Sequence, residues 1–219
     1  MVFDVLLPLR CAGCGRAGAE VCRRCLRALV RLRGPRCGRC GAPTAWPVER
    51  CAECAGRRLP FTWARAAVLY EGPAPRIVLA WKEGGLRRLA GFAADVVATE
   101  IRPPPAAAIA FVPPDPDRGL RRGRHPAYEL AVALGRLWDL PVIRALTRAR
   151  PARPQRGLTL AERRRNVRHA FAAAAPVPTS VCLEDDEYTT GATAGACATA
   201  LRAAGASRIQ VITFARAVR

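Results

Sequence analysis

Lysine is almost absent from this chain of 219 residues, since Lys82 is the only one. Lysine and arginine together number 36 against 17 acidic residues, so the formal net charge of +19 is carried almost entirely by arginine. Such a charge attracts polyanions, either nucleic acids or ligands that bear a diphosphate, but it does not choose between them. A compositional bias towards arginine, alanine and proline accounts for part of the excess.

The chain also has no apolar run that approaches the ~20 residues of a membrane-spanning helix. Its first ten residues are mostly apolar, but they lack the basic start of a signal peptide and carry an early Asp4. Arg10 stands where a small residue should precede Cys11 in a lipoprotein signal. We therefore expect a structured N-terminus, no membrane span and a cytoplasmic protein.

Eight of the ten cysteines lie within the first 58 residues and form four C-x-x-C pairs. Gly15 and Gly41 directly follow two of these pairs, which suits a knuckle whose backbone amides turn towards the sulfurs. Four thiolates at this spacing form a closed, tetrahedral, structural zinc site. The segment is predicted to be a double zinc ribbon whose two sites, taken in sequence, comprise Cys11, Cys14, Cys22 and Cys25, then Cys37, Cys40, Cys51 and Cys54.

Spacing alone leaves the pairing of these ligands open, because a crossed arrangement would use the same cysteines. One ribbon could also be degenerate and lack metal. A disulfide framework is a further alternative, but it is typical of secreted chains and nothing here marks secretion. Zinc would replace the hydrophobic core that such small ribbons lack. The arginines of this segment suit DNA or RNA contact, while a docking or packing role is equally open.

Beyond residue 58 the pattern alternates between strands and helices. Strands are predicted at residues 63–70, 106–112, 140–143 and 180–183, and helices at residues 75–81, 86–102, 127–137 and 194–204. This order is typical of an α/β protein with a parallel sheet. We expect two domains, a double zinc ribbon over residues 1–58 and an α/β domain over residues 59–219.

The most informative stretch spans residues 183–193, between a buried strand and a helix of small residues. Asp185 and Asp186 follow the strand, and a Thr-Thr-Gly turn at residues 189–191 leads into the helix. Backbone amides and hydroxyls at a helix start suit a phosphate, and the carboxylates suit vicinal hydroxyls or a magnesium shell. A sugar with a 5′-phosphate and free hydroxyls would engage all of these groups. An acidic turn that merely caps the helix is the simpler alternative.

This stretch resembles the phosphoribosyl-pyrophosphate (PRPP) loop of type I phosphoribosyltransferases, in which Asp-Asp, two variable residues and Thr-Thr-Gly follow a strand. Four C-x-x-C pairs, a Val112–Pro113 strand end before an arginine-rich loop, and the series from Gln155 to Phe171 accompany it. Together these features look like the ComF family, whose members are competence-associated, phosphoribosyltransferase-like proteins with an N-terminal zinc ribbon. The resemblance runs nearly end to end.

The resemblance implies a type I phosphoribosyltransferase-like parallel sheet flanked by helices, binding of PRPP with Mg²⁺, and a role in handling imported DNA during natural transformation. The PRPP-binding residues that it implies are Asp185, Asp186, Thr189, Thr190, Gly191, Ala192 and Thr193. The pyrophosphate loop would comprise Val112, Pro113 and Pro114. The flexible loop that closes over substrate would include Arg148, Gln155 and Arg165.

Several positions depart from the family pattern. Glu184 and Glu187 flank the Asp pair, and four acids in a row repel one another unless cations compensate. Residues 122–126 replace a common Arg-Gly-Phe-Asn-Gln segment, and His125 within them is expected in a surface loop. Lys82, before a Gly-Gly turn, is either a solvated helix-end lysine or a lysine that reaches a phosphate.

Two functions therefore follow from the sequence. The first is PRPP binding, extended to transfer of phosphoribose to an unknown acceptor with release of pyrophosphate. This chemistry needs no covalent nucleophile, so the absence of a Ser-His-Asp pattern does not exclude it. The alternative is a non-catalytic zinc-ribbon adaptor that binds single-stranded DNA or a DNA-processing partner such as a competence helicase.

Overall fold

The computed structural model describes residues 9–114, 125–148 and 170–218. Its strands are β1 (Trp63–Leu69), β2 (Ala108–Phe111), β3 (Val142–Ile143), β4 (Leu146–Arg148), β5 (Phe171–Ala173), β6 (Ser180–Tyr188) and β7 (Arg208–Arg216). Its helices are α1 (Arg23–Ala28), α2 (Ala74–Lys82), α3 (Leu89–Glu100), α4 (Pro126–Trp138) and α5 (Ala192–Ala203).

Five of the strands form a parallel sheet in the order β1-β7-β6-β2-β3, and β4 pairs antiparallel with β5 in a separate two-stranded sheet. The predicted α/β architecture is confirmed. The predicted strand over residues 180–183 is longer than expected, because β6 continues to Tyr188 in register with β7. Pairing with a neighbouring strand overrides the low strand propensity of consecutive acidic residues. Strands β4, β5 and β7 were not predicted.

Helices cover both faces of the sheet, as expected for parallel strands that are buried on each side. On one face α2, α3 and α4 contribute Ile77, Val97 and Leu130 to a core that includes Phe111 and Phe214 of the sheet. The opposite core is formed by α5, the paired strands β4 and β5, and cysteines of the second ribbon. Cys182 and Cys197 are fully buried, one in each of these two cores, where they act as packing residues.

The strand order creates a crevice at the carboxyl edge of the sheet. From β2 the chain crosses through α4 to β3 on one side, whereas from β6 it crosses through α5 to β7 on the other. Strand β2 pairs with β6 only as far as the Phe111–Glu184 register, while β6 pairs with β7 up to Tyr188 and Arg216. The order therefore reverses between β2 and β6, which is where open α/β sheets bind their ligands.

The cysteine-rich segment packs closely on the sheet. The Leu69 amide donates to the Val30 carbonyl at 2.8 Å, and the Leu32 amide to the Ala67 carbonyl at 3.0 Å, so this segment covers the edge strand β1. At Gly41, whose φ is +73°, an added Cβ would lie 2.3 Å from the Ala64 carbonyl oxygen. None of the described helices is long and apolar enough to cross a membrane.

Gly135 marks a tight contact between α4 and the segment that leads into β3. A Cβ at this position would lie 2.7 Å from the Leu140 carbonyl oxygen and 2.9 Å from Cγ2 of Val142. Gly135→Ala should lower the free energy of unfolding by about 1–3 kcal/mol, measured by denaturant titration. Gly91→Ala is the matched control, because its Cβ would meet nothing within 4 Å and should raise stability by a few tenths of a kcal/mol. Equal effects of the two substitutions would contradict this packing.

Candidate functional site

A pocket opens at the carboxyl edge of the sheet, between the end of β6 and the start of α5. The acidic strand contributes Asp185 and Glu187, the turn and helix contribute Thr189 and Thr193, and β7 contributes Thr213. The lining is completed by Tyr188, Gly191, Ala192 and Ala194. The lining thus combines two carboxylates with threonine hydroxyls and the start of a helix.

The turn before α5 has the geometry of a helix N-terminus that is open to an anion. Gly191 is the N-cap and has a φ of 70°, a left-handed conformation that glycine adopts without steric cost. The first turn carries no acidic side chain, so the positive end of the helix dipole is not neutralised locally. Thr190 does not line the pocket; it is buried, and its Oγ1 accepts a hydrogen bond from the Ala192 amide at 3.2 Å.

Strand geometry separates the four consecutive acids that the sequence places side by side. Because successive side chains of a strand point to opposite faces, Asp185 and Glu187 share one side and line the pocket, whereas Glu184 and Asp186 do not. Glu184 is completely buried, and neither of its carboxylate oxygens has a hydrogen-bond partner among the described residues. Burial therefore raises the pKa of Glu184 well above its ordinary value, and nearby Asp185 raises it further.

The only lysine of the chain supplies the compensating charge. Nζ of Lys82, at the end of α2, forms an ion pair with Oδ2 of Asp186 and lies 3.7 Å from Oε2 of Glu187. Lys82 is therefore not a freely solvated helix-end lysine, because its ammonium contacts two carboxylates. It anchors the end of β6 to α2 and offsets the repulsion between neighbouring carboxylates.

Asp185 lines the pocket, and the pKa of its carboxyl is raised. Burial raises the pKa of this carboxyl to about 7, Lys82 and Arg148 act in the opposite direction, and Glu187 raises the pKa further. The carboxyl of Asp185 therefore changes its charge near neutral pH. Burial dominates this shift of the pKa, and the two cations reduce it.

The predicted pyrophosphate loop lies beside the acidic strand. Val112, Pro113 and Pro114 directly follow β2, and the Val112 amide donates to the Glu184 carbonyl at 3.0 Å. Arg148, at the end of β4, is near enough to lower the pKa of Asp185. Gln155 and Arg165 of the predicted flexible loop lie outside the described residues.

His125 differs from the sequence expectation of a surface loop residue. It is half-buried and is the N-cap of α4, where Nδ1 accepts a hydrogen bond from the Tyr128 amide at 3.2 Å. Its ring packs edge-on against Phe111 with 4.9 Å between centroids. Burial and nearby Arg144 lower the pKa of His125, which favours the neutral ring whose Nδ1 accepts this hydrogen bond. His125 therefore starts α4 beside β2.

The eight N-terminal cysteines form two tetrads with the pairing taken in sequence, not the crossed one. Within each tetrad the four sulfurs lie within 4.8 Å of one another, and all ten cysteines of the chain are free thiols. The first tetrad is partly open, since Cys14 is exposed, whereas Cys37, Cys40 and Cys54 of the second are at most 1% exposed. Sets of four thiolates at this spacing are typical of structural zinc sites.

Backbone amides favour the thiolate form of the first cysteine in each tetrad. Burial raises the pKa of Cys11, but amide hydrogen bonds from Cys22, Cys14 and Gly13 outweigh it and lower the pKa to about 6. The same balance, with amides of Cys40, Cys51 and Arg39, lowers the pKa of Cys37 to about 6. Thiolates are the form that binds zinc, so the repeat reproduces the same chemistry twice.

Comparisons with known proteins agree with this architecture. Residues 2–55 match a family model described as a double zinc ribbon domain. Competence protein F of Haemophilus influenzae is 30% identical over 212 residues, which cover 90% of each chain. The chain belongs to the ComF family. DNA utilization protein YhgH of Salmonella typhimurium is likewise 30% identical over 210 residues and 90% of each chain.

Membership of the ComF family confirms the predicted resemblance and the double zinc ribbon. The structure also reveals site residues that the sequence did not indicate: Thr213 in the pocket, and two arginines, Arg57 and Arg216, that contact the loop before α5. No local pattern marks them, because each reaches the site through pairing or packing of distant segments. The apolar residues on both sides of Thr213, at positions 211–212 and 214–215, are the local sign of β7.

Two carboxyls with raised pKa values predict a dependence of stability on pH. Between about pH 4 and pH 7 the native state holds protons on Asp185 and Glu184 that the unfolded chain has lost, so the free energy of unfolding should fall as the pH rises. Asp185 should account for about 1–2 kcal/mol, less than its shift implies, because water in the pocket screens the charge.

Denaturant unfolding at several pH values tests this dependence. Asp185→Asn and Glu184→Gln should each flatten the fall, whereas Asp95→Asn, at an exposed position on α3, should retain the wild-type slope. If neither substitution changes the slope, these carboxyls are not the groups that titrate.

Proposed function

We propose that this chain binds PRPP together with Mg²⁺ in the crevice between β2 and β6. The observation that carries the proposal is the pocket that Asp185 and Glu187 line together with Thr189, Thr193 and the N-terminal end of α5. A phosphate monoester is complementary to hydroxyls and free amides at a helix start. Vicinal ribose hydroxyls are complementary to carboxylates, which accept their hydrogen bonds.

In the proposed complex the 5′-phosphate lies at residues 189–193, and the ribose hydroxyls face Asp185 and Glu187. We assign Asp186 a different role from the one that the family pattern implies, because Lys82 engages its carboxylate. Asp186 positions the end of β6, and Glu187 takes the place beside Asp185 on the pocket side. Glu187, which departs from the family pattern, thereby gains a role in the pocket instead of only repelling the neighbouring carboxylates.

The diphosphate would extend towards residues 112–114, with Arg148 on the same side of the crevice. Carboxylate oxygens of Asp185 and Glu187 are the hard ligands that Mg²⁺ prefers, so the residues present fit this ion. When bound, Mg²⁺ supplies positive charge that offsets the diphosphate. Arg148 adds a fixed cation that already acts on Asp185.

Transfer of phosphoribose is the reaction that such a site would support. The bond from the anomeric carbon to the pyrophosphate oxygen breaks, an acceptor nitrogen forms the new bond and loses a proton, and pyrophosphate leaves. The carboxylates on the pocket side stabilise the positive charge that develops on the ribose. The relatives named for competence and for DNA utilization support a setting in DNA uptake for this chain as well.

A calorimetric titration of the zinc-loaded protein with PRPP and Mg²⁺ tests the binding site. We expect saturable binding that Asp185→Asn weakens by at least about tenfold, because it removes hydrogen bonds to a charged acceptor. Asp95→Asn on the surface of α3 is the matched control and should bind as the wild type does. Absence of binding by the folded, zinc-loaded wild type would overturn the proposal.

Single-stranded DNA binding is a second candidate function, favoured by exposed side chains on the surfaces of the two ribbons. Arg23, Arg24 and Arg27 on α1 are exposed and, among the described residues, make no ion pair. Trp46 on the second ribbon is 69% exposed, the highest value among the large apolar side chains of the described residues. Arginines that neutralise phosphates and an aromatic ring that stacks on bases are the elements of single-strand recognition.

Salt-dependent binding of an oligothymidylate distinguishes this candidate. Substitution of Arg23, Arg24 and Arg27 by Gln should lower the affinity and reduce the slope of log K against log salt by about 2, or ~0.7 for each phosphate that is no longer neutralised. Replacing Arg102, Arg136 and Arg208 by Gln gives a control of equal net charge at exposed positions away from α1. Equal losses of affinity in both triple variants would indicate attraction by net charge alone.

A further inference from the structure

We infer that the second zinc ribbon positions the ligand loop at residues 188–191 through Arg57 and Arg216, so that zinc retention at Cys37, Cys40, Cys51 and Cys54 is coupled to ligand binding. The part of this inference that concerns the ligand rests on the proposed function. The positioning of the loop rests on contacts within the chain.

Arg57 forms the first connection. It lies three residues after Cys54, and its own amide donates to the Cys54 carbonyl at 3.1 Å. Nη1 of Arg57 donates to the Glu53 carbonyl at 3.2 Å, and Nη2 donates to the Thr190 carbonyl at 2.6 Å. One guanidinium therefore bridges the last metal-binding knuckle and the turn that begins α5.

Arg216 forms the second connection, from the end of β7. Although charged, it is only 1% exposed, and its partners all lie in the ribbon or the loop. Nη1 donates to the Cys40 carbonyl at 2.6 Å, and Nη2 donates to Oε2 of Glu53 at 2.5 Å. On its other side the guanidinium carbon lies 4.7 Å from the centroid of the Tyr188 ring, a cation–π contact.

The Tyr188 ring connects Arg216 to the start of α5. A Cβ at Gly191 would lie 2.2 Å from the Tyr188 hydroxyl oxygen, so the ring rests directly against the N-cap of α5. The hydroxyl has no hydrogen-bond partner among the described residues. Packing against Gly191 and Arg216 therefore fixes the ring, and the ring in turn fixes the turn whose amides line the pocket.

The first ribbon provides an internal comparison. Its contacts reach α2 and the N-cap of α3, where Arg76 donates to the Gly13 carbonyl at 3.5 Å and Arg88 lies 3.7 Å from Glu20. Within the described parts of the chain, no hydrogen bond or ion pair joins this ribbon to residues 188–191. We therefore expect zinc at the first site to be uncoupled from the pocket.

Loss of zinc from the second site would release the Cys40 carbonyl and Glu53, leaving the Arg216 charge buried without its partners. A buried charge that loses its partners is strongly unfavourable, so the β7 end and the Tyr188 ring would rearrange. Coupling of this kind is reciprocal: a ligand that orders the loop must hold the second zinc more tightly.

Hydrogen exchange in the zinc-loaded full chain tests the positioning without any ligand. Arg57→Gln should raise the exchange rates of peptides that cover residues 188–193 by about tenfold, the effect expected for loss of one charged hydrogen bond. Arg58→Gln makes the same charge change at the adjacent exposed residue and should leave these rates unchanged. Equal rates in the two variants would overturn the inference, even if PRPP binds.

Zinc release to a chromophoric chelator tests the coupling. Mg²⁺ with PRPP should slow release from the second site by about tenfold and leave the first site unchanged, with Cys14→Ser used to assign the two phases. Arg57→Gln should abolish the slowing, and Arg58→Gln should retain it. Equal protection of both sites would indicate general stabilisation and contradict the coupling.

Calorimetry on the same wild-type sample distinguishes a failure of the proposed PRPP binding from a failure of the coupling to the second zinc site. If PRPP does not bind at all, the proposed function fails, and the hydrogen-exchange comparison still decides whether Arg57 positions the loop. If PRPP binds and release from the second site does not slow, the coupling fails while the proposed ligand site stands.

Discussion

Parallel pairing of β6 with β7 along their full length is the constraint on which the site depends. Each strand has nine residues, and their register continues past the point where β2 ends at Phe111. The acidic end of β6 is thereby held as a strand on one side and left open on the other. This arrangement brings Thr213 to the pocket, Arg216 to Tyr188 and the strand β6 to the start of α5.

Strand geometry also resolves an electrostatic problem. Four consecutive carboxylates would repel one another in a flexible turn, but alternation directs them to two sides of the sheet. Lys82 pairs with those at positions 186 and 187, and burial raises the pKa of Glu184 well above its ordinary value. Asp185 lines the pocket and has a pKa raised to about 7. A chain with a net charge of +19 thus keeps a local negative site.

The two ribbons look alike in sequence and differ in their setting. The first leaves Cys14 exposed and presents arginines on α1 that form no ion pair with the described residues. The second contributes Cys37, Cys40 and Cys54 to the same hydrophobic core as α5 and reaches the ligand loop through Arg57. A surface role fits the first ribbon and a supporting role fits the second, because the second shares this packing with the sheet.

The sequence by itself determined the zinc ligands, the α/β alternation and the Thr-Thr-Gly turn, because thiol spacing, hydrophobic periodicity and turn chemistry are local properties. It also indicated most helices and strands beyond residue 58, with boundaries shifted by a few residues. Only the tertiary structure decided that β6 extends to Tyr188, that Lys82 pairs with Asp186, and that the ribbon ligands pair in sequence. Those outcomes depend on contacts between segments far apart in the chain, such as Arg57 with Thr190, and spacing along a sequence does not encode which distant partners meet.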